Sequence, residues 1–409
     1  MPQIQSPGMT AAEIRQVAAE LMVLGFPLVL TDMVRRAHPL GGNRFCRLPD
    51  HAGLLAPGLA DDAPRTLITS AWLDISQGPA TLRWPDDQAR RLCVVLYDAW
   101  GRRIAPLAAP LPSARIAIVG ADQVRESPDA DAVWRLPSAS AWMLTRIAPR
   151  SADDHAASLR LLMGPSIAAP KPWPDQGVAT IEGPPRDLVE AALALAPAKF
   201  LHRLMALLAR HPPSDPDTGE ALGRLGCALG SAFPDPATAG QDGAVAWGFK
   251  DGADQIAGAA HRRLSPAGPW DLLHAPHDDN DPLSRAVTAA TSLGSPAVED
   301  LACFRCDRDA AGQPLRGSEQ YRLTFASPEN AEWSLALRSS HPGYEVIADP
   351  GPDGVADFVI QHLAPTEDVA NWLPSPPAEF NLLLRIHRPT ASVLNGDWRP
   401  PQVTTLSRP

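Results

Sequence analysis

Lysine is nearly missing from this sequence. Of 36 basic side chains only Lys171, Lys199 and Lys250 are lysines, so few amines are available for Schiff-base or general-base chemistry, and none sits in a recognisable motif. Cysteine is as sparse: Cys46, Cys93, Cys227, Cys303 and Cys306 make five, an odd and thinly spread set that fits a reducing compartment. Acidic residues outnumber basic ones, 46 to 36, for a formal charge of −10. Nucleic acid and anionic membranes are therefore excluded as partners, because both are bound through clustered cations. The longest apolar run, Leu21 to Leu30, is interrupted by Gly25 and Pro27 and falls short of the roughly 20 residues of a bilayer span. The start, Met1-Pro2-Gln3-Ile4-Gln5, lacks the basic, apolar and small-residue regions of a secretory signal, so a cytoplasmic protein is expected. Nucleophile elbow, P-loop, zincin helix and dinucleotide fingerprint are all missing, and no cofactor is expected.

Proline is abundant, 45 of 409 residues, about twice ordinary usage; it cuts the chain into short elements and excludes a coiled coil. Thr10-Ala-Ala-Glu13 is a capping box opening a helix that Gly25 should end, with Pro27 starting a second short helix to Arg36. Apolar runs bounded by turn residues predict strands at 80–84, 91–99, 114–120 and 141–148. After the proline-rich stretch 165–185 the apolar period turns helical, through Leu188–Leu195, Phe200–Leu208, about 216–229, 253–264 and 282–293. From Cys303 onward period-two alternation returns, as in Tyr321, Leu323, Phe325 and Trp333, Leu335, Leu337, with further strands at 358–361 and 381–386. The expectation is an α+β protein in three parts: a β-rich region with N-terminal helices (1–165), a proline-rich linker and helical middle (166–295), and a second β-rich region (296–409).

Three N-terminal stretches, Pro27–Arg36, Ser70-Ala-Trp-Leu-Asp-Ile-Ser76 and Tyr97-Asp-Ala-Trp100, resemble the family named domain of unknown function 1254. Near the other end, Ile360-Gln-His362, Asn371-Trp-Leu-Pro-Ser-Pro376, Phe380-Asn-Leu-Leu-Leu-Arg385 and Asn395-Gly-Asp-Trp398-Arg-Pro-Pro401 resemble its companion, domain of unknown function 1214. The resemblance implies a β-sandwich-like front, a jelly-roll-like back and helices between, with no assigned activity. Many relatives are exported. The departures fall on polar positions: Ala63-Pro-Arg-Thr-Leu-Ile68 keeps only Thr66 of a polar segment common in relatives, Pro106–Pro110 replaces a Thr-Arg-rich turn, and Arg338-Ser339 leads into a shortened loop. A polar site built from those segments would be eroded or rebuilt here.

Among candidate chemical groups, Asp74 and Asp98, near Trp72 and Trp100, would suit a sugar site, where two carboxylates about 5–9 Å apart act as acid and base or nucleophile; either could instead close a strand end by bonding backbone. Asn371 and Trp372 lie in a proline-bounded loop, and the indole either plugs a core edge or faces ligand. Arg146 and Arg385, in strands, would either anchor a carboxylate or form internal ion pairs. His274, His277 and Asp278 have metal-ligand chemistry, against which Pro276 breaks any helix that would align them. The pair Cys303 and Cys306 falls within a strand, where positions three apart face opposite sides, arguing against a redox or zinc role. The expected function is a small-molecule or saccharide binder, a catalytically degenerate member of its family. The alternatives are a hydrolase or lyase on a carbohydrate-like or other polar substrate, carried by Asp74, Asp98 or Arg146, and a protein-interaction scaffold.

Overall fold

A computed structural model describes residues 9–38, 41–47, 66–83, 93–104, 114–121, 129–147, 152–170, 188–213, 216–224, 242–262, 265–267, 269–273, 280–296, 298–326, 332–339, 345–348, 355–365 and 371–406. The chain divides into two compact units, one of residues 1–260 with 278–294, the other of 261–277 with 295–409. It is a mixed α+β protein, its sheets mostly antiparallel. The helical middle therefore builds into the first unit, because the helices cover the N-terminal helix and do not form a core of their own.

In the first unit α1 is Ala11–Ala37, followed by β1 (Phe45–Arg47), β2 (Leu67–Asp74), β3 (Ala80–Arg83), β4 (Cys93–Asp98), β5 (Arg103–Ile104), β6 (Arg115–Gly120), β7 (Ala132–Leu136) and β8 (Ser140–Ile147). Then come α2 (Ala152–Leu162), β9 (Ser166–Ala168), α3 (Leu188–Leu193), α4 (Pro197–Leu208), α5 (Pro216–Arg224), α6 (Asp242–Arg262) and α7 (Pro282–Ser292). One sheet runs β1-β2-β8-β4-β5 and the other β7-β6-β3-β9. Alternation along β2 and β8 gives the first sheet two apolar faces. Leu67, Ala71, Leu73, Ala141 and Met143 join Leu82, Ile116 and Ile118 of the second sheet in one core, while Ile68, Trp72, Trp142 and Leu144 join α1 and the other helices in another.

The capping box forms as expected: the Thr10 hydroxyl accepts from the Glu13 amide and the Glu13 carboxylate accepts from the Thr10 amide. The helix does not stop at Gly25, however. It continues through Pro27 to Ala37. Proline in a helix interior forfeits one hydrogen bond, at about 3 kcal/mol, and the packing around α1 offsets it. Every residue from Leu21 to Val34 is buried, and a helix apolar on all sides is stable only when enclosed on all sides. Gly25 is a contact position: a β-carbon there would lie 2.8 Å from Leu204 Cδ2 of α4. By length and composition α1 could cross a bilayer, unlike the shorter run from which no span was expected. Here its apolar residues are enclosed within the core of the first unit.

The second unit holds β10 (Ser265–Ala267), β11 (Trp270–Leu273), β12 (Leu301–Cys306), β13 (Tyr321–Ala326), β14 (Glu332–Ser339), β15 (Glu345–Ala348), β16 (Val355–Gln361), β17 (Trp372–Pro374), β18 (Phe380–His387), α8 (Ala391–Leu394) and β19 (Thr404–Thr405). A sheet β10-β11-β12-β18-β14-β15 and a sheet β17-β16-β13-β19 share one core, built from the alternate residues Tyr321, Leu323, Phe325, Trp333, Leu335 and Leu337 among others. Cys306 points into that core, and Cys303 packs on the opposite face with Ala336 and Leu383.

Candidate functional site

The strand β4 ends in Asp98, and the chain reverses through Ala99, Trp100 and Gly101 into β5, with Tyr97 opposite Arg103 and Leu96 opposite Ile104. Asp98 holds this turn together. Its Oδ1 accepts from the amides of Trp100 and Arg102, each at 2.9 Å, and its Oδ2 accepts from Arg102 Nε at 2.8 Å. The turn also needs glycine at position 101. Its φ is +74°, and a β-carbon there would stand 2.7 Å from Leu293 Cδ1 and 3.1 Å from Thr31 Oγ1.

Beside the turn opens a cleft of about 540 Å³. It is lined by Asp98, Arg102, Arg103, Arg135 of β7 and Asn280, together with the apolar side chains of Ile104 and Leu136. Its ionisable lining is three guanidiniums and one carboxylate. Burial pushes the Asp98 carboxyl above the usual carboxylate range, against the opposing pull of Arg102 and the turn amides. Each guanidinium offers five donors in a planar fork. Such a lining suits a small ligand carrying a carboxylate or phosphate; among the described residues it does not offer two carboxylates for acid–base work.

Asp74 is elsewhere. Its Oδ1 accepts from the Ser76 amide at 2.9 Å and the Ser76 hydroxyl at 2.6 Å, and Asn43 brackets its backbone at both N–H and C=O. In the sheet Asp74 is opposite Ser140 and Asp98 opposite Ala141. The two acids thus lie on strands separated by β8, about 10 Å apart at the backbone by strand spacing, at positions of opposite face. The structure does not bring them together as a catalytic pair.

The other expected residues are placed as follows. Trp72 is buried and stacks on Trp142 with ring centroids 5.2 Å apart, so it serves the core. Trp100 packs partly buried against the same core. Arg146 is buried and donates to the carbonyl of Gly294, fixing the exit of α7 by a hydrogen bond to backbone. Arg385 is fully buried in β18, opposite Cys303 and Ser334. Asn371 lends its carbonyl to the Val359 amide. Trp372 is 38% exposed and donates its indole N–H to the Gln361 carbonyl, so it edges the sheet and plugs nothing. His274, His277 and Asp278 lie outside the described residues. The residues that sequence reasoning missed are Arg102, Arg103, Arg135 and Asn280. Gly-Arg-Arg directly after Asp-Ala-Trp could have flagged the first two; nothing in the sequence links Arg135 or Asn280 to them.

Comparison with known proteins gives family and fold. Residues 43–162 match the model described as protein of unknown function DUF1254, and residues 301–391 match that of protein of unknown function DUF1214. The crystal structure of the VPA0106 protein from Vibrio parahaemolyticus is similar over 96% of this chain and 100% of its own, at 17% identity and a TM-score of 0.69. An uncharacterised protein from Burkholderia cenocepacia aligns over 97% and 95% of the two chains at 12% identity, with a TM-score of 0.42. No curated protein matches the chain.

Proposed function

The chain belongs to the family that carries these two domains in tandem, and from that premise we propose that it binds a small anionic molecule, such as an organic or sugar acid, in the Asp98 cleft, without catalysing its conversion. The observation that carries the reading is the lining itself: Arg102, Arg103, Arg135 and Asn280 line one cleft together with the apolar Ile104 and Leu136. Pockets of this size bind through an apolar body and a few placed polar groups, and guanidiniums select carboxylate or phosphate by bidentate geometry. Non-catalytic binding is favoured over hydrolase or lyase chemistry because Asp98, the one carboxylate that the described residues bring to the cleft, has both oxygens committed to its own turn and to Arg102. We also propose that the protein is soluble and cytoplasmic; the enclosure of α1 within the first unit supports this, and cell fractionation tests it.

The test is calorimetric titration of the full chain with monocarboxylates, dicarboxylates, sugar acids and neutral sugars. Acids should bind and neutral sugars should not. Arg135→Gln should weaken binding by about tenfold or more, since a hydrogen bond to a charged group contributes about 1.5–3 kcal/mol. Equal affinity for neutral and acidic sugars, or an unchanged constant in the variant, would refute the assignment.

A further inference from the structure

The cleft already holds one negative charge of its own. Asp98 lines it with a side chain only 5% exposed. Its carboxylate meets Arg102 side-on, with Nε and Nη2 each 2.8 Å from Oδ2, while Oδ1 takes the amides of Trp100 and Arg102. The Arg102 side chain lines the same cleft and is 34% exposed. The guanidinium that neutralises the buried carboxylate is therefore also within reach of a ligand.

Arg103 of β5 and Arg135 of β7 line the same space, and among the described residues Asp98 is the one carboxylate in the lining. Uncharged residues fill other sides. Ala141 of β8 stands opposite Asp98, Asn280 lies ahead of α7, and toward the helices Gly101 of the turn meets Thr31 and Leu293. Burial already holds the Asp98 carboxyl above its ordinary range, with Arg102 the strongest charge opposing the shift. An anion seated on Arg102 would bring a second negative charge within about 4–6 Å of the first. At that range two like charges in one site drive one group to take a proton.

We propose that the cleft takes its anion together with a proton, which Asp98 accepts from solvent as the ligand arrives. This deepens the reading of the cleft as an anion site and rests on it. The charges balance. Before binding, Arg102 neutralises Asp98; after binding, the proton neutralises Asp98 and Arg102 neutralises the ligand, so no uncompensated charge is left buried. A protonated Asp98 still accepts from the turn amides through its carbonyl oxygen, which keeps the turn in place. Its O–H becomes a donor to the anion, and O–H···O⁻ bonds are among the strong ones. Coupling of this kind is reciprocal: if the anion raises the proton affinity of Asp98, protons raise the anion affinity of the cleft by the same factor.

Calorimetric titration of the full chain with glucuronate and with sulfate between pH 5 and pH 8 tests this. Both probes stay ionised over that range, so a proton taken up belongs to the protein. Repeating each titration in buffers of different ionisation enthalpy counts the protons. Uptake is expected with at least one probe, and affinity about fivefold or more higher at pH 5 than at pH 7. Asp98→Asn should bind with an affinity that varies by no more than about twofold over the same range, its uptake gone. If the variant does not fold, difference infrared spectra of the wild type decide, since binding must then raise a protonated-carboxyl C=O band. Anion binding without uptake or pH dependence would overturn the proton coupling and leave the anion site standing. Uptake that persists in Asp98→Asn, or no carboxyl band, would assign the proton to another group, such as a histidine, and overturn it equally. If neither probe binds, the anion reading itself fails and the coupling falls with it.

Discussion

Gly101→Ala places a methyl at the pivot of the Asp98 turn, and its cost can be worked from two separate terms. At φ +74° the left-handed conformation costs a residue with a β-carbon about 1–2 kcal/mol. The new carbon would also stand 2.7 Å from Leu293 Cδ1 and 3.1 Å from Thr31 Oγ1. Leu293 is 2% exposed and Thr31 is 1% exposed, so neither can swing into solvent, and overpacking of this kind adds about 1–3 kcal/mol. The sum is about 3 kcal/mol. Gly312→Ala separates the terms, because its φ is +77° yet nothing lies within 4 Å of the added carbon; it should cost only about 1 kcal/mol. Urea unfolding followed by tryptophan fluorescence measures both. The same substitution should weaken binding of acids in the cleft, since the turn sets Arg102 against Asp98. Equal losses for the two alanine variants would show that the interior beside Gly101 yields freely, and the turn could no longer be credited with fixing the cleft wall.

Two further outcomes follow from buried groups. Burial depresses the His211 pKa to about 4 from its ordinary 6.5, so between those values the unfolded chain binds the extra proton. The stability this group supports is complete above about pH 6.5 and is lost as pH falls through 4, a change on the order of 3 kcal/mol; His211→Gln should flatten that part of a denaturation-against-pH curve, and an unaltered slope would contradict the burial. Cys306, pushed up to about 11 by burial, should resist thiol reagents at pH 8 in the native protein, as should Cys303 on the other face of β12. Mass spectrometry after labelling checks both, and a Cys303–Cys306 disulfide in the native chain would contradict the opposed faces.

The fold was legible where local pattern and burial agree. Alternation at Tyr321, Leu323 and Phe325 marks β13 because one face meets a core and the other carries Arg322 and Thr324, which bond Asp357 across the sheet. The helical period expected over 282–293 is α7, and Asp281 caps it, its carboxylate accepting from the Ser284 amide at 2.7 Å. The error at Gly25 and Pro27 has an equally physical cause. Both residues disfavour an isolated helix, but α1 is not isolated: Gly25 admits Leu204, and Gly248 and Gly252 of α6 bring a second backbone close to Arg15 and Met22. Tertiary contact reversed the local preference, and no window of sequence contains α4 or α6 alongside α1. The helix α2 was missed because Ala152–Leu162 opens on Asp153, Asp154 and His155 and becomes apolar only toward its end, too late to show a stripe.

The candidate sites escaped for a related reason. Sequence reasoning selected acids beside aromatics, and aromatics and acids here mostly build the frame: Trp72 and Trp142 stack in the core, Asp74 and Asp98 each tie down a turn. What lines the cleft is mostly arginine, drawn from segments that share no motif. Arg102 and Arg135 meet because β4 and β7 belong to two sheets packed over one core, and Arg203 reaches Asp32 across 171 positions of chain because α4 crosses α1 at Gly25. In a chain with three lysines, arginine carries nearly all positive charge, so its identity at a position signals nothing. Only its burial and its company do. On that criterion the exposed Arg316 and Arg322, each paired with an exposed acid across a strand, are surface ion pairs that contribute about 0–1 kcal/mol. Buried Arg146, bonded to the Gly294 carbonyl, and Arg203, 3.8 Å from the buried Asp32, each tie one element to another, a role that no motif announces.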